Sequence, residues 1–401
     1  MSNEADVIVV GGGIGGLAAA YALGKCGYKV SVLEQAPQFS EVGAGLQLGP
    51  NALRALDTLG LLDEVFKYSV FPRRHVFMDA IHAKELSAVD FGKRFRERFD
   101  YPYVVMHRTD LHEVLLRGCQ SLDTITTFVN HKVSSIENLE GHVRVTCENG
   151  NVYNGGFVVG ADGLWSVVRK LVINDQPIVS QYVAYRGTVP MEEMMVKINW
   201  DEKYTWIGPG LHMVQYPIRE KKVINQVAVF KSKNYLENSN DWGGPEELQE
   251  AFSNCCLTLQ HSLQYINLDR SWKMYDREPL SNWTVGRVTL LGDSAHAMLQ
   301  YLAQGACQAL EDACSLAKHI LLHEDNIEKA LIEYQNERIP RTAAVQRGAR
   351  TWGQMKHAED SVAILLRNTI MLQREADDYK YVDWLYSKEA FSVDLNKVPQ
   401  L

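Results

Sequence analysis

Three glycines near the start of the chain have the spacing of a phosphate-binding turn. Gly11, Gly13 and Gly16 form the pattern G-x-G-x-x-G, directly after a largely apolar, β-branched run at Asp6–Val10. The first glycine of such a turn permits a tight bend, the second lets a pyrophosphate approach the backbone, and the third lets helix and strand pack closely. Free N–H groups at the start of the next helix then face the phosphates. The pattern therefore predicts a dinucleotide-binding turn.

A carboxylate at the end of the next predicted strand completes this motif. Glu34 closes the run Lys29–Glu34, 18 residues after Gly16. A carboxylate at that place can accept a hydrogen bond from a ribose 2′-hydroxyl. Glycines alone are a weak signal. A strand, a glycine turn, the small-residue helix Leu17–Gly24, a second strand and a terminal acid together predict a site for an adenine dinucleotide.

Three later segments contain polar residues that suit a cofactor site. Arg108 lies in H-R-T-D-L directly before a predicted helix, Asp162 lies in G-A-D-G, and Asp293 lies in G-D-S-A-H between a strand and a helix. An Asp after a strand would by itself equally suit a helix N-cap. The chain has one dinucleotide fingerprint, so a nicotinamide cofactor is expected to bind transiently, as a co-substrate without a domain of its own.

With these three motifs in this order, the sequence resembles the single-component flavoprotein aromatic hydroxylases, the para-hydroxybenzoate hydroxylase superfamily. The resemblance implies bound FAD, with Asp293 on the ribityl chain, Asp162 in a segment associated with both FAD and NAD(P)H, and Arg108 in the cofactor site. The helix that begins near Gly305 and Ala306 would place N–H groups beside the flavin pyrimidine ring. Positive charge density at that helix N-terminus stabilises an anionic reduced flavin.

Two groups of polar residues are expected beside the flavin. His212 and Tyr216 are four residues apart in a predicted strand, so both side chains project from one face of it. Gln300 follows the Asp293 segment and is therefore close to the isoalloxazine ring by chain continuity. Several segments, among them Tyr185–Thr188 and Gln215–Pro217, resemble the 3-hydroxybenzoate 6-hydroxylases.

This narrower resemblance implies the reaction and the residues that carry it. It implies conversion of 3-hydroxybenzoate, NADH and O₂ to 2,5-dihydroxybenzoate (gentisate) through a flavin C4a-hydroperoxide. His212 and Gln300 would handle the substrate phenol, and Tyr216 and Tyr103 would contact the substrate. With tyrosine as the model, a phenol has a pKa of about 10, so forming the phenolate near pH 7 requires about 4 kcal/mol. An imidazole base and an amide N–H donor can supply it.

Other functions fit the same motifs. Salicylate 1-hydroxylation and 6-hydroxynicotinate 3-hydroxylation use the same flavin parts. A flavin oxidase or dehydrogenase would instead take hydride from its substrate. The same fold also serves as a flavin-free binding module in prenyl-protein escort factors. The carboxylate of Asp293 argues against that last alternative.

The order of elements predicts an α/β fold with a Rossmann-like FAD-binding domain, a β-sheet substrate domain and a helical C-terminal tail. We expect the FAD-binding domain to comprise residues 1–71, 101–175 and 276–340, and the substrate-binding domain residues 72–100 and 176–275. Residues 341–401 form the tail. Residues 72–100 are expected to be irregular, and Trp242–Gln264 is expected to form one helix.

Composition excludes several classes of protein. The 401 residues carry 41 basic and 49 acidic side chains, a net charge of −8, whereas nucleic-acid binding normally needs a basic surplus. Seven cysteines without a C-x-x-C motif favour a reducing cytoplasm and no metal site. The uncharged stretch Val7–Gly24 contains six glycines, so no membrane span is expected. Subfamily likeness and the apolar helical tail suggest a homodimer.

Overall fold

The computed structural model describes residues 4–39, 44–196, 198–236, 239, 241–391 and 393. The strands are β1 (Glu4–Val10), β2 (Val30–Leu33), β3 (Gly45–Leu48), β4 (Arg74–Asp79), β5 (Glu85–Asp90), β6 (Val104–His107), β7 (Ile125–Phe128), β8 (Val133–Asn138), β9 (Val143–Cys147), β10 (Val152–Gly160), β11 (Ile178–Pro190), β12 (Lys203–Gly208), β13 (Leu211–Ile218), β14 (Val223–Lys231), β15 (Asn267–Asp276), β16 (Thr284–Val285) and β17 (Val288–Leu290). The α-helices are α1 (Ile14–Lys25), α2 (Pro50–Leu59), α3 (Leu62–Phe66), α4 (Lys93–Phe99), α5 (Arg108–Gln120), α6 (Pro245–Phe252), α7 (Leu257–Ser262), α8 (Asp293–His296), α9 (Gly305–Leu322), α10 (Ile327–Lys356), α11 (Ser361–Leu372) and α12 (Asp383–Tyr386).

The first sheet carries the glycine turn. Its strands follow the order β16-β17-β10-β1-β2-β7, with β9 beside β10 and β8 beside β9. β1 is parallel to both β2 and β10, as a helical crossover requires. Because β1 is buried on both faces, the run Val7–Val10 is continuously apolar. The predicted α/β architecture is confirmed.

The second sheet has seven strands in the order β15-β11-β14-β13-β12-β4-β5. Its neighbours are antiparallel except for β12 and β4. Side chains alternate between two faces, so Tyr204 and Trp206 pack in a core with helices α6 and α7, whereas Lys203 and Thr205 line an internal cavity on the other face. The alternation therefore determines which residues can meet a ligand.

Helix α10 extends from α9 to the cavity beside the seven-stranded sheet. It runs for 30 residues through Pro340, and the expected boundary at residue 341 lies inside it. Near its middle, Arg338 bonds to acids of α9, and its last residue, Lys356, reaches the cavity beside the seven-stranded sheet. The division of the chain into domains stays a prediction. None of the helices in the described part of the chain is long and apolar enough to cross a membrane.

Two expectations about local structure were wrong. Residues 72–100 contain β4, β5 and α4, because these short strands bury consecutive residues: Phe77 and Leu86 pack in one core, and Val76 and Ala88 pack in another. The predicted helix Trp242–Gln264 is interrupted between α6 and α7. There the backbone N–H of Cys256 donates to the carbonyl of Ala80 at the end of β4, at 2.8 Å, instead of to its own helix.

Candidate active site

A cavity of about 390 Å³ lies between the glycine turn of the first sheet and the seven-stranded sheet. Part of its wall is backbone from the glycine turn and from the start of α8 and α9, including Gly13, Gly292 and Gly305. Another part consists of side chains from the seven-stranded sheet, including His212 and Tyr216. One continuous space therefore adjoins both the predicted cofactor residues and the predicted substrate residues.

Two helices begin at this cavity with free backbone donors. Gly13 precedes α1 and Gln304 precedes α9, and neither residue caps its helix through a side-chain hydrogen bond. The first N–H groups of a helix lack intrahelical partners, and they carry the positive end of the helix dipole. These two helix starts therefore suit the pyrophosphate of a dinucleotide and the pyrimidine ring of a flavin, which carries negative charge when the flavin is reduced.

The glycines of the turn are needed because backbones touch there. A Cβ atom added to Gly16 would lie 2.0 Å from the carbonyl oxygen of Gly11. Gly11 has φ +104°, and a Cβ atom there would lie 2.4 Å from the carbonyl oxygen of Ala161. Gly13 lines the cavity, while Gly11 and Gly16 hold strand, helix and the start of the Asp162 segment in close contact.

The three predicted acids have different surroundings. Asp293 is exposed and lines the cavity, where it can accept hydrogen bonds from hydroxyl groups. Glu34 accepts hydrogen bonds from the backbone N–H groups of Gly12 at 2.7 Å and Ala36 at 2.8 Å. A carboxylate has about four acceptor positions, so Glu34 fixes the glycine turn and still has capacity for a ribose hydroxyl.

Asp162 uses its carboxylate locally. It accepts hydrogen bonds from the Ser166 hydroxyl at 2.5 Å and from the N–H groups of Val167 at 2.7 Å and Val168 at 3.2 Å. Burial raises its pKa, and these hydrogen bonds oppose the rise. Its chain neighbours Ala161 and Gly163 line the cavity. A role of Asp162 in cofactor binding stays a prediction, and its carboxylate organises the segment rather than the cavity wall.

The remaining predicted cofactor residues line the cavity. Arg108 is the first residue of α5, and its N–H donates to the carbonyl of Ala44 at 3.0 Å. Gly305 and Ala306 open α9. A Cβ atom added to Gly305 would lie 3.8 Å from Oδ1 of Asp293, so the start of α9 and this carboxylate are adjacent.

A buried ionic network holds α8, α9 and α10 together. Arg338 pairs with Glu311 at 2.6 Å and with Asp312 at 2.7 Å, and Nε2 of His296 lies 2.6 Å from Asp312. Arg341 also pairs with Glu311 at 2.6 Å. Burial alone would raise the pKa of Asp312, but His296 and Arg338 lower it to about 2. The network fixes the helix start that faces the cavity, and His296 is part of this structural network.

His212 is buried on β13 and lines the cavity. Its Nδ1 lies 2.7 Å from Nε2 of His357, so Nε2 of His212 is the ring nitrogen left for a ligand. Burial, and then the positive charge of Lys356, keep the pKa of His212 well below its usual value. A neutral imidazole is therefore present at pH 7. His357 stacks on Tyr182 with 4.4 Å between ring centroids.

The two predicted tyrosines meet at one amide. The Tyr103 hydroxyl donates to Oε1 of Gln47 at 2.8 Å, and the Gln47 side chain also hydrogen-bonds Tyr216. Both tyrosines are buried and line the cavity. A Cβ atom at Gly45 would lie 2.5 Å from the Tyr216 hydroxyl, so β3, which contains Gln47, approaches the seven-stranded sheet closely.

Gln300 lies at the start of a 3₁₀ turn, Gln300–Leu302, and lines the same cavity. Its Nε2 is 4.0 Å from Sδ of Met274, a weak contact that leaves the amide able to reorient toward a ligand. The structure thus brings His212, Gln300, Tyr216 and Tyr103 to one space. Sequence reasoning missed Gln47 and His357, because neither lies in a motif that the chain order places near the flavin.

Known proteins resemble this chain along nearly its whole length. A family model described as an FAD binding domain matches residues 4–349. The 3-hydroxybenzoate 6-hydroxylase of Polaromonas naphthalenivorans (strain CJ2) is 40% identical over 390 residues, covering 96% of both chains. The chain belongs to the FAD-dependent aromatic hydroxylases. FAD is accordingly its cofactor, and the cradle described above fits that group.

Two further comparisons agree with this family. The 3-hydroxybenzoate 6-hydroxylase 1 of Aquipseudomonas alcaligenes is 38% identical over 389 residues, which cover 96% of this chain and 98% of that protein. A solved salicylate hydroxylase substrate complex superimposes with a TM-score of 0.81 at 22% identity, covering 98% of each chain. At 22% identity, this superposition shows that the two proteins share a fold.

Proposed function

We propose that the chain converts 3-hydroxybenzoate, NADH and O₂ to 2,5-dihydroxybenzoate. One observation carries the proposal. In a chain that is 40% identical to a 3-hydroxybenzoate 6-hydroxylase over 390 residues, the FAD cradle, His212 and Gln300 border one cavity. FAD, when bound, supplies the centre that NADH reduces and that O₂ oxidises again. The side chains of the cavity orient the aromatic acid and activate its ring.

His212 acts as the general base in this proposal. When its Nδ1–H donates to Nε2 of His357, its own Nε2 is bare and accepts the phenol proton of the substrate. Loss of that proton makes the ring electron-rich at the carbon para to the oxygen. The amide N–H of Gln300 then donates to the phenolate oxygen.

The surrounding charges stabilise one product of this step, the phenolate. Lys203 and Lys356 are buried nearby, and both lower the pKa of His212 after burial has done so. The positive field that disfavours an imidazolium also stabilises a phenolate, because the two species carry opposite charge. Apolar lining residues such as Val214 and Met298 keep water from the reacting ring.

NADH serves as a co-substrate that binds to the loaded enzyme and leaves after reduction. The experiment that tests the function is aerobic turnover of the FAD-loaded protein with NADH and a panel of aromatic acids. We expect gentisate from 3-hydroxybenzoate. Preferred turnover of salicylate or 6-hydroxynicotinate would assign one of those reactions instead. Anaerobic flavin reduction by the aromatic acid alone would indicate an oxidase, and failure to bind FAD would indicate a binding module.

We further propose a homodimer in a reducing cytoplasm. Helix α11 exposes an apolar face of Val362, Leu365, Leu366 and Ile370, the last three of which are 64%, 58% and 57% exposed. Apolar patches of this kind commonly mark interfaces, and a second copy of this chain would cover it. All seven cysteines are free thiols, which suits a reducing compartment.

A further inference from the structure

Two lysines are buried in the wall of the cavity without a compensating acid. Lys203 and Lys356 are each 4% exposed and both line the cavity. Among the residues that the structure describes, neither forms an ion pair with a carboxylate. Lysine is almost never fully buried without a partner, because removing an ammonium from water is costly. Such an arrangement is retained where a ligand supplies the missing charge.

The contacts of Lys203 do not neutralise it. Its Nζ lies 3.1 Å from Nδ1 and 2.9 Å from Nε2 of His75, the residue opposite it on β4. The ammonium also faces the Tyr103 ring at 5.7 Å from the centroid. Burial, and then Lys203 itself, hold the pKa of His75 well below its usual value, so His75 is a neutral acceptor. Burial holds the pKa of Lys203 well below its usual value, and an anion bound beside Nζ would raise that pKa and stabilise the ammonium form.

Lys356 is in a similar position at the end of α10. Its Nζ donates to the carbonyl oxygen of Tyr301 at 3.2 Å and faces the Tyr301 ring at 5.1 Å from the centroid. Lys356 directly precedes His357, the partner of His212. One lysine is thus held by the sheet and the other by the end of α10, and both line the cavity that the predicted base lines.

The charge of the whole lining supports the same conclusion. Among the described lining residues, Asp293 is the one carboxylate, and it lies beside the start of α9. The other charged lining residues are Arg108, Arg186, Lys203, Lys356 and Arg374. The ionisable lysine and arginine side chains are therefore the only charged type that the seven-stranded sheet and α10 contribute to the described lining.

The register of the sheet gives the direction in which a substrate would lie. Lys203 precedes Tyr204, which is opposite Gln215, so Lys203 is level with Tyr216 at one end of the row. His212 is four residues from Tyr216 on the same face, which corresponds to two pleats along the strand. An aromatic acid with its hydroxyl at His212 would extend its other polar group toward Lys203, and the charge of Lys356 acts on both His212 and Lys203.

We propose that Lys203 and Lys356 form an anion subsite that binds the carboxylate of the aromatic substrate. The inference rests on the proposed function for its substrate, and it names the group that selects aromatic acids over neutral phenols. His75 acts as a positioning residue, because it holds the ammonium of Lys203 without cancelling its charge.

The test measures binding to the FAD-loaded, oxidised protein without turnover. Benzoate is the anionic probe and 3-methylphenol the neutral one, and flavin absorbance reports their dissociation constants. A hydrogen bond to a charged group corresponds to a factor of roughly 10 to 100 in affinity. We therefore expect K203M and K356M each to weaken benzoate binding by about tenfold or more, and to change 3-methylphenol binding by less than about twofold. K84M, which removes an exposed lysine in the turn after β4, is the matched control and should bind both probes as the wild type does.

A thermal melt of the same ligand-free samples separates binding from structure. Removing a buried unpaired charge should leave the melting temperature of K203M equal to or above that of the wild type. Equal loss of both probes together with a lower melting temperature would show a structural role and overturn the subsite. Unchanged benzoate binding in both variants, or no benzoate binding by the wild type, would also overturn it.

The outcomes distinguish this subsite from the proposed function. Lysine-dependent benzoate binding in a protein that makes no gentisate would uphold the subsite and reject the reaction. Gentisate formation in a protein whose lysine variants bind benzoate normally would uphold the reaction and reject the subsite.

Discussion

Nδ1 of His212 lies 2.7 Å from Nε2 of His357, so one hydrogen atom is shared between two buried imidazoles. Burial, followed by the charges of Lys356 and Arg367, lowers the pKa of His357 to about 3, so this ring is neutral. It can accept the Nδ1–H of His212 and leave Nε2 of His212 bare. With the hydrogen atom on Nδ1 of His212, the pair holds the tautomer that a general base requires.

Loss of the base should impair hydroxylation and spare the cofactor. H212A removes the nitrogen that accepts the phenol proton, and general-base catalysis contributes about 10² to 10⁴ in rate. We expect gentisate formation to fall by about that factor, with NADH oxidation continuing and producing hydrogen peroxide. Product is quantified by chromatography and bound FAD by absorbance. Fully coupled turnover by this variant would remove His212 from the mechanism.

Replacing His357 should lower the rate of gentisate formation by less than replacing His212, and a side chain that can accept a hydrogen bond should restore part of the rate. In H357F no atom accepts the Nδ1–H of His212, so the wrong tautomer becomes populated and gentisate formation should fall by about tenfold or more. H357Q retains an acceptor and should recover part of that loss. If H357F and H357Q have equal rates, packing rather than hydrogen bonding explains the contact.

Asp293 should govern retention of FAD. Its exposed carboxylate lines the cavity beside the start of α9, and a hydrogen bond to a charged group contributes about 1.5–3 kcal/mol. D293A should therefore weaken FAD binding by roughly 10- to 100-fold in equilibrium dialysis. D293N keeps one acceptor oxygen and should lose less. An unchanged dissociation constant in D293A would exclude contact with the ribityl chain.

The buried ionic network of α8, α9 and α10 predicts that the protein loses stability in acid. The pKa of Asp312 is about 2 in the folded protein, below the value of about 3.9 expected when unfolded. The unfolded chain thus binds more protons between these values, so the stabilisation is complete above about pH 4 and is lost as pH falls through about 2. Its size is on the order of 2–3 kcal/mol.

Urea unfolding of D312N between pH 3 and 6 checks this linkage. The variant should be less stable at pH 6 and should lose less stability than the wild type on acidification. D325N, which alters an exposed acid after α9, should follow the wild type. Parallel pH profiles for D312N and the wild type would contradict the assignment.

The apolar face of α11 should hold a dimer together. Introducing charge at its centre with L365E and L366E should convert a dimer to a monomer, because an interface cannot bury two unpaired carboxylates. Light scattering after size exclusion measures the mass. L322E, at the exposed end of α9, is the control. A monomeric wild-type protein would refute the proposed dimer.

The features that could be predicted from the sequence are those that depend on local patterns of residues. The glycine turn, its flanking strands and the helix at Gly305 follow from composition and spacing, and the order of motifs indicates the cofactor. The strand face shared by His212 and Tyr216 follows from their spacing of four residues. All of these features depend on neighbours along the chain, so a sequence displays them directly.

The missed features depend on contacts between distant segments. Lys203 is opposite His75, 128 residues away, and a lysine in a strand normally indicates an exposed position. His357 meets His212 across 145 residues. Asp162 matches a family motif, but its carboxylate accepts hydrogen bonds from nearby residues such as Ser166. These hydrogen bonds are visible only in the folded turn. The helix break at Cys256 likewise arises from a tertiary hydrogen bond.

The most direct measurement is identification of the product after aerobic turnover of the FAD-loaded protein with NADH and 3-hydroxybenzoate. We expect 2,5-dihydroxybenzoate, formed in proportion to the NADH consumed, with NADH oxidation accelerated by the aromatic acid. An unchanged rate of NADH oxidation on addition of 3-hydroxybenzoate, or a product hydroxylated at another ring position, would contradict it.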